Sequence, residues 1–327
     1  MSQAVIFREF GKAEEVSALE VSPHPELQDG QILVRMLATP INPADINFIQ
    51  GNYGIRPELP DTPGIEGTGR ILESKAEGYP EGAHVIFLER VGTWKSHVVC
   101  EASKALVIDA KIDFLQASML KVNPITAWRI LTGYTKLKEG DWVIQNAANS
   151  GVGQCFIQIA KQLGLKTINV VRREGLEKDL LALGADHVLL DDNELVDKVR
   201  EICGDHLPKL ASNAVGGDSA LRLMDALADQ GVHVTYGAMS MRSLKVPNKF
   251  LIFKRIRLEG LWITKWIAEE KRKKIEDTYA QLGEWVAAGK LTQKIDQTFR
   301  PDQLKEALVR AQESRRDGKV VIDWSDY

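Results

Sequence analysis

The sequence contains few cysteines, no long apolar run and no surplus of charge of either sign. Its three cysteines, Cys100, Cys155 and Cys203, form no close pair and no C-x-x-C, so a disulfide framework is implausible and a reducing compartment is favoured. No run approaches the roughly 18–20 apolar residues of a membrane-spanning helix. Lys+Arg 42 against Asp+Glu 45 gives a net charge of -3, whereas a nucleic-acid partner normally needs a basic surplus. We therefore expect neither membrane nor nucleic acid among its partners.

The beginning of the chain lacks the apolar core of a secretory signal. MSQAVIFREFGKAEE reaches acidic residues within ten positions, so no signal of that kind is expected. We expect a cytoplasmic protein, or one of the mitochondrial matrix if an import peptide was removed. The 327 residues, 44% hydrophobic and 27% charged, have ordinary globular composition and exceed the length that one core usually serves, so we expect two domains.

Short apolar runs separated by Gly- and Pro-rich segments fill the first hundred residues. They predict an antiparallel β region with strands at 4–10, 31–41, 84–88 and 94–100. A helix over 114–137, interrupted by Pro124, is predicted next.

Strand and helix patterns then alternate, which is typical of a parallel, doubly wound sheet. The predicted strands are 141–147, 166–172, 186–192, 208–217 and 232–239, with helices at 151–164, 177–185, 194–204 and 219–231. Helices at 269–290 and 302–314 and a strand at 319–324 follow. The simplest architecture is a β-rich domain, an inserted α/β domain and a C-terminal return to the first.

The segment 141–153 has the pattern of a strand, a tight turn and a helix start. Against G-x-G-x-x-G the required positions hold Ala148, Ser150 and Gly153, so the strict fingerprint fails but every residue is small. Small residues permit the tight turn, the close approach of a pyrophosphate and close helix–strand packing, and the helix N-terminus attracts phosphate. The pattern predicts dinucleotide binding; the alternative is an ordinary βα turn that happens to be small.

The end of the next strand indicates which dinucleotide. An NAD enzyme usually carries Asp or Glu there to hold the ribose 2′-hydroxyl, whereas this strand ends in Arg172 and Arg173. Two cations suit a 2′-phosphate, so we predict NADPH, although Glu174 beside them is unfavourable. The alternative is that both arginines are simply solvated.

This layout resembles the medium-chain dehydrogenase/reductase superfamily. The resemblance implies an α/β fold: a GroES-like β-rich catalytic and substrate domain over 1–118 with 266–327, and a Rossmann doubly wound parallel-sheet NADPH-binding domain over 119–265, with the active site in the cleft between them. Zinc members carry Cys and His where this sequence has Asn42 and Ile65, and these cannot form a soft N/S zinc site. We expect a zinc-free reductase with no metal.

Several segments narrow the resemblance to mitochondrial-type trans-2-enoyl-thioester reductases. They are INPADINFIQGNYGIRPELP, GTW (92–94), VNPITAWRIL, IQNAANSGVGQ, TINVVR, VTYGAM, LIFKRIRLEGLWITKW and GKVVI. The resemblance implies NADPH-dependent reduction of enoyl-CoA or enoyl-acyl carrier protein in fatty acid synthesis, by a homodimer whose nucleotide-domain sheets join edge to edge. It leaves open the chain length, the carrier and the physiological acceptor.

The Tyr of G-N-Y-G is the proton donor in that family, and here it is Tyr53. Hydride addition at C3 of an enoyl thioester moves charge onto the thioester oxygen, and an acid must then protonate C2. A neutral phenol, with an unperturbed pKa of about 10, is a suitable donor. The alternative is that Tyr53 only packs its ring in a loop.

The resemblance also implies further contacts. The cofactor residues are Asn123, Asn149, Ser150, Gly151, Val152, Gly153, Tyr236, Gly237, Ala238, Met239, Leu261, Trp262, Ile263, Thr264 and Lys319, beside Arg172 and Arg173. Trp94, Trp262 and Trp266 would line the acyl chain, although aromatic residues are as often core. Lys249, Lys254, Arg255 and Arg257 would meet CoA phosphates or an acidic acyl carrier protein.

Two other functions compete with this one. The first is an NADPH:quinone or other activated-alkene reductase of the same zinc-free branch, which shares the nucleotide turn but needs no Tyr in this loop. The second is a non-enzymatic, NADPH-responsive binding or regulatory protein.

Overall fold

The computed structural model describes residues 2–23, 26–314 and 316–327. The chain divides into two compact units: Met1–Val122 together with Ile267–Tyr327, called here the β-rich unit, and Asn123–Trp266, called the α/β unit. Residues 267–327 therefore fold with the first part of the chain.

The first part of the β-rich unit consists mainly of short strands. Its elements are β1 (Ser2–Phe7), α1 (Ala13–Val16), β2 (Ser17–Ser22), β3 (Gln31–Pro40), α2 (Pro43–Ile49), β4 (Thr68–Ser74), β5 (His84–Phe87), β6 (His97–Glu101), β7 (Ala105–Ile108) and α3 (Phe114–Ser118). The strands predicted at 4–10, 31–41, 84–88 and 94–100 are confirmed with shifted ends. β2, β4 and β7 were missed because they are short or expose many of their side chains.

Strands and helices alternate through the α/β unit. They are α4 (Asn123–Gly133), β8 (Trp142–Gln145), α5 (Gly151–Gln162), β9 (Lys166–Val171), α6 (Glu177–Leu183), β10 (His187–Leu190), α7 (Leu195–Cys203), β11 (Leu210–Asn213), α8 (Gly217–Ala226), β12 (Val232–Thr235), α9 (Asn248–Ile252), β13 (Arg257–Gly260) and α10 (Ile263–Glu269). The predicted helical interruption falls just before Pro124, which lies in the first turn of α4, where a missing N–H costs nothing. β12 ends at Thr235, so Tyr236–Met239 is loop and not strand as predicted.

The chain then returns to the β-rich unit through α11 (Arg272–Ala287), β14 (Ile295–Phe299), α12 (Leu304–Gln312) and β15 (Lys319–Asp323). Both predicted helices and the final strand are confirmed. β14 was missed because its sequence, IDQTF, has no apolar run.

The sheet of the β-rich unit joins the two ends of the chain. Its strand order is β14-β15-β3-β4-β5-β7, with β6 also paired to β3, while β1 and β2 form a separate hairpin. β3 alternates buried and half-buried residues because one face covers the core, and Ile32, Val34 and Met36 are fully buried there. Since β15 pairs with β3, the final strand completes this sheet.

The sheet of the α/β unit is parallel, with strand order β10-β9-β8-β11-β12-β13. The chain starts at the central β8, runs outward to β10 and then crosses back to β11. In such doubly wound sheets ligands bind beyond the carboxyl ends of the strands, where the order reverses. That point lies here between β8 and β11. Among the described residues, no helix combines the length and the apolar character needed to cross a bilayer.

His233 on β12 is a polar side chain inside this sheet. It is fully buried, and neither ring nitrogen has a hydrogen-bond partner among the described residues. Burial lowers its pKa to about 4. An unfolded His titrates near 6.5, so between about pH 6.5 and 4 the unfolded chain binds a proton that the folded chain does not. Acidification therefore removes stability in that window.

We predict that His233→Leu makes the protein less sensitive to acid. Between pH 7.5 and 5.0 the wild type should lose about 2 kcal/mol more of its unfolding free energy than the variant, as measured by urea denaturation. His206, an exposed histidine, provides the control: His206→Leu should behave as the wild type does. Equal losses in wild type and His233→Leu would contradict the prediction.

Candidate functional site

The turn between β8 and α5, which carries the predicted dinucleotide-binding residues and is called here the nucleotide turn, is built around small residues. Ser150 caps α5, its Oγ accepting from the Gly153 N–H at 3.1 Å. A Cβ on Gly153 would lie 2.5 Å from the Ala148 carbonyl oxygen, and one on Gly151 would lie 2.4 Å from Asn123 Nδ2. The backbone oxygens therefore require glycine at Gly153, whereas at Gly151 the neighbouring atom is the end of the Asn123 side chain. The first-turn N–H groups of α5 have no acceptor inside the helix, which suits an anion.

Buried amides connect the loops that follow β8, β11 and β12. The Asn146 amide nitrogen donates to Asn213 Oδ1 at 2.8 Å and to Ser219 Oγ at 2.9 Å, while its oxygen accepts from the Ala214 N–H at 2.8 Å. Asn213 in turn donates to Thr235 Oγ1 at 3.1 Å. These bonds fix the strand ends that surround the nucleotide turn. The sequence analysis did not select Asn146 or Asn213, although an amide within an apolar strand was a signal that could have found them.

The loop after β12 lies against the same strand ends. The Tyr236 N–H donates to the Asn213 carbonyl at 3.0 Å, and the Met239 N–H donates to Ala214 at 2.9 Å. The Tyr236 hydroxyl is buried beside Ser150, and burial raises its pKa above the usual range. Two predicted cofactor segments, the nucleotide turn and Tyr236–Met239, therefore meet.

Arg172 and Arg173 follow β9 directly and are exposed. No ion pair or hydrogen bond of either side chain is found among the residues that the structure describes. Cationic groups at the carboxyl end of a parallel strand, with no internal partner, remain available to an anionic ligand. Glu174 beside them is also exposed.

The segment after β13 completes this edge of the sheet. The Leu261 N–H donates to the Thr235 carbonyl at 2.9 Å, and Ile263 and Thr264 begin α10. Trp262 is 42% exposed, whereas Trp266 is half-buried, with the Arg129 guanidinium 5.6 Å from its ring centroid. The predicted cofactor residues of the α/β unit thus follow β8, β9, β12 and β13, or precede them on α4, as Asn123 does.

The four basic residues predicted to meet phosphates are mostly engaged within the chain. Arg255 pairs with Asp229, the Lys254 ammonium donates to the Asp225 carbonyl at 2.6 Å, and Arg257 donates to the Tyr134 carbonyl at 2.6 Å. The Lys249 ammonium lies 5.0 Å from the Phe250 ring centroid. Their role toward a phosphate stays a prediction.

Tyr53 belongs to the β-rich unit, four residues after the end of α2. Its side chain is half-buried against the core of that unit. Gly51 ends the helix with φ +74, and a Cβ there would lie 3.1 Å from the Phe10 ring. The position of Tyr53 therefore depends on how α2 is held. Trp94, by contrast, is fully buried in the core.

The N-terminus of α2 lies in a cluster of buried charges that the sequence analysis did not find. Asp45 accepts from the Asn42 N–H at 2.8 Å and from the Ile65 N–H at 3.0 Å. Burial, reinforced by Glu66, raises the pKa of Asp45 to about 7 although these bonds and Lys319 oppose the shift. Asp45 stands three residues after Asn42, the spacing of a helix cap, which was the available signal.

No group of three or more His, Cys, Asp or Glu side chains that could hold a metal ion occurs among the described residues. Cys100, Cys155 and Cys203 are free and buried, and burial raises the pKa of Cys100 and of Cys203 to about 11. Those two thiols are therefore poor nucleophiles.

Comparison with known proteins agrees with this architecture. Residues 28–109 match the alcohol dehydrogenase GroES-like domain, and residues 151–282 match the zinc-binding dehydrogenase family. The chain is 39% identical over 298 residues to the mitochondrial enoyl-[acyl-carrier-protein] reductase of Rattus norvegicus, covering 89% of this chain and 80% of that protein. It is 40% identical over 279 residues to the Caenorhabditis elegans protein of the same name, covering 83% and 80%.

Solved structures with the same fold include two kinds of reductase. The Etr1p/Etr2p heterodimer of mitochondrial 2-enoyl thioester reductase from Candida tropicalis superposes with a TM-score of 0.90 at 29% identity, and a complex of Etr1p with NADP and crotonyl-CoA with 0.89 at 28%; each covers 98% of this chain and 99% of that one. A Bacillus thuringiensis protein assigned as an NADPH:quinone reductase gives 0.92 at 27%, covering 98% of both chains.

We predict that Gly153→Ala destabilises the protein, by about 1–3 kcal/mol. Its Cβ would meet backbone oxygens that cannot move without opening the turn, whereas Gly→Ala in an unobstructed helix is stabilising. The readout is the thermal midpoint Tm. Gly260→Ala, whose Cβ would meet no atom nearer than 4.0 Å, is the control and should leave Tm nearly unchanged. An unchanged or higher Tm for Gly153→Ala would contradict the tight-turn interpretation.

Proposed function

The chain belongs to the medium-chain dehydrogenase/reductase superfamily, with homology to mitochondrial enoyl-[acyl-carrier-protein] reductases, and on this premise we propose that it reduces trans-2-enoyl thioesters to acyl thioesters in fatty acid synthesis. It is an NADPH-dependent oxidoreductase. The observation that carries the thioester proposal is the 39% identity along 298 residues to a reductase of that name, covering 89% of this chain and 80% of that protein.

The α/β unit fits NADPH. We assign the pyrophosphate to Asn149, Ser150, Gly151, Val152 and Gly153. The turn is compact, since a Cβ on Gly153 would lie 2.5 Å from the Ala148 carbonyl oxygen, and the start of α5 attracts anions. Arg172 and Arg173 would hold the 2′-phosphate. Asn123, Tyr236–Met239 and Leu261–Thr264 would line the nicotinamide end. When bound, NADPH supplies the hydride.

The proposed reaction needs one proton and one hydride. Hydride adds to C3, the C2–C3 π electrons move toward the thioester oxygen, and the resulting enolate collapses as C2 takes a proton. We assign that proton to the Tyr53 hydroxyl, because a phenol is protonated at neutral pH and can act as a general acid. Solvent then returns a proton to the tyrosinate.

Trp262 and Trp266 are the side chains that we propose for the acyl chain. Trp262 is the more accessible, being 42% exposed, while Trp266 is half-buried. The complete burial of Trp94 favours a core role, the alternative that the sequence left open. CoA or acyl carrier protein would carry the acyl group, and Lys249, an exposed cation on α9, would be available to its phosphates or acidic groups.

We also propose a homodimer formed through β13. This strand is the edge of its sheet, and an open edge favours strand pairing. Leu251, Ile252 and Phe253, just before it, are exposed by 45–78%, an apolar patch that a partner would cover.

The free cysteines support a reducing compartment such as the cytoplasm or the mitochondrial matrix.

The test follows NADPH absorbance with crotonyl-CoA, a longer 2-enoyl-CoA and a quinone. We expect oxidation with the enoyl thioesters, and we expect Tyr53→Phe to lower kcat on crotonyl-CoA by about 100-fold or more. Tyr79 packs against the same core as Tyr53, so Tyr79→Phe is the matched control and should keep its kcat. Turnover with quinones alone, or full activity of Tyr53→Phe on crotonyl-CoA, would overturn the proposal in favour of a quinone reductase.

A second prediction concerns the cofactor. Removing Arg172 and Arg173 together, as alanines, should reduce the preference for NADPH over NADH by about 10–100-fold, because charge-assisted hydrogen bonds to the 2′-phosphate are lost. The measurement is the ratio of kcat/KM for the two cofactors. Lys178→Ala, which removes an exposed cation on α6, should leave the ratio unchanged. An unchanged ratio in the double arginine variant would show that these residues are merely solvated.

A further inference from the structure

A continuous hydrogen-bonded network runs through the β-rich unit from Lys319 to Val122. The Lys319 ammonium donates to Asn42 Oδ1. The Asn42 amide nitrogen donates to Glu66 Oε1 at 2.9 Å, and the other carboxyl oxygen, Oε2, accepts from the Val122 N–H at 2.8 Å. Both ends of the Asn42 amide and both oxygens of Glu66 are therefore engaged.

Because this network is buried, only one arrangement of its hydrogen bonds is favourable. Glu66 is fully buried and Asn42 is 3% exposed. Burial raises the pKa of Glu66, against the opposing effects of the Lys319 charge and of the bonds from Asn42 and Val122. A buried carboxyl group that lost one of these donors would carry a large desolvation cost. The amide of Asn42 consequently has one favourable orientation, with its oxygen toward the ammonium and its nitrogen toward the carboxylate.

One end of the network lies at a predicted cofactor residue, and the other end lies next to one. Lys319 is an expected cofactor contact. Val122 directly precedes Asn123, which is expected at the nicotinamide end. Asn42 caps α2, the helix that leads to Tyr53. Glu66 is not itself expected to contact a ligand. It bonds to Asn42, which holds the Lys319 ammonium, and to Val122, which precedes Asn123.

We propose that Asn42 and Glu66 are positioning residues for NADPH, acting through Lys319. Asn42 transmits the orientation of Glu66 to the Lys319 ammonium, so the cation is held in one place before the cofactor arrives. Such preorganisation lowers the entropy that binding must otherwise remove. The inference rests on the proposed function only in taking NADPH as the ligand; it needs no particular acceptor.

The test is a double-mutant cycle on the full chain, with the Kd of NADPH measured by fluorescence titration in the absence of any thioester. The variants are Glu66→Gln, Lys319→Met and the double variant. We expect each single variant to weaken binding by about tenfold, and the double variant to bind no more weakly than Lys319→Met, because the two residues act in series. Glu73→Gln, an exposed carboxylate on β4, should keep the wild-type Kd.

A purely structural role gives a different result. In that case Glu66→Gln would lower Tm while leaving the Kd of the folded fraction intact, or its effect would add to that of Lys319→Met; either overturns the proposal. If Glu66→Gln does not fold, Asn42→Leu replaces it in the cycle with the same expectation, because it removes the amide that joins Glu66 to Lys319. If the cycle is non-additive but the wild-type protein does not reduce crotonyl-CoA, the proposed reaction is wrong and this inference still stands.

Discussion

Buried polar groups must find partners, and in this molecule that requirement determines where the functional loops lie. In the α/β unit Asn146 and Asn213 lie at the ends of neighbouring strands and are fully or almost fully buried. Each can satisfy its amide only if the loops after β8, β11 and β12 take one arrangement. In the proposed function the N-terminus of α5 would meet a phosphate, and this arrangement of loops is what keeps the neighbouring strand ends in place.

The same constraint operates in the β-rich unit with charges in place of amides. By the family resemblance, Asn42 and Ile65 stand where zinc members of the superfamily carry metal ligands, and in this structure two carboxyl groups and two lysines bond to them. Desolvation lowers the pKa of Lys121 to about 8, and its ammonium donates to the Ile65 carbonyl at 2.6 Å. Buried ions of this kind contribute little stability of their own, so their value lies in fixing α2.

The sequence was most informative where periodicity is strong. The alternation of β8 to β12 with their helices follows from apolar runs, and the turn from Ala148 to Gly153 follows from residue size. β13 and β14 were not predicted because they are edge strands with exposed or polar side chains, which periodicity does not separate from loops. The Asn146–Asn213 pair joins residues 67 apart in sequence. Spacing alone cannot predict such a contact, because it depends on which strands become neighbours.

Overall fold does not distinguish the two candidate reactions, since the quinone-reductase and thioester-reductase neighbours superpose equally well, with TM-scores of 0.92 and 0.89. The distinction lies in where the proton goes. A quinone takes its protons on oxygen, and water can supply them once hydride has been transferred. An enolate becomes a saturated thioester only when its carbon is protonated, and an acid held at one face accelerates that step. In the proposed reaction the β-rich unit supplies a phenol, Tyr53, four residues after a helix whose start is held by the buried carboxyl group of Asp45. Holding that helix in place would keep the proposed acid at one face of the substrate, which the reduction of a quinone does not need.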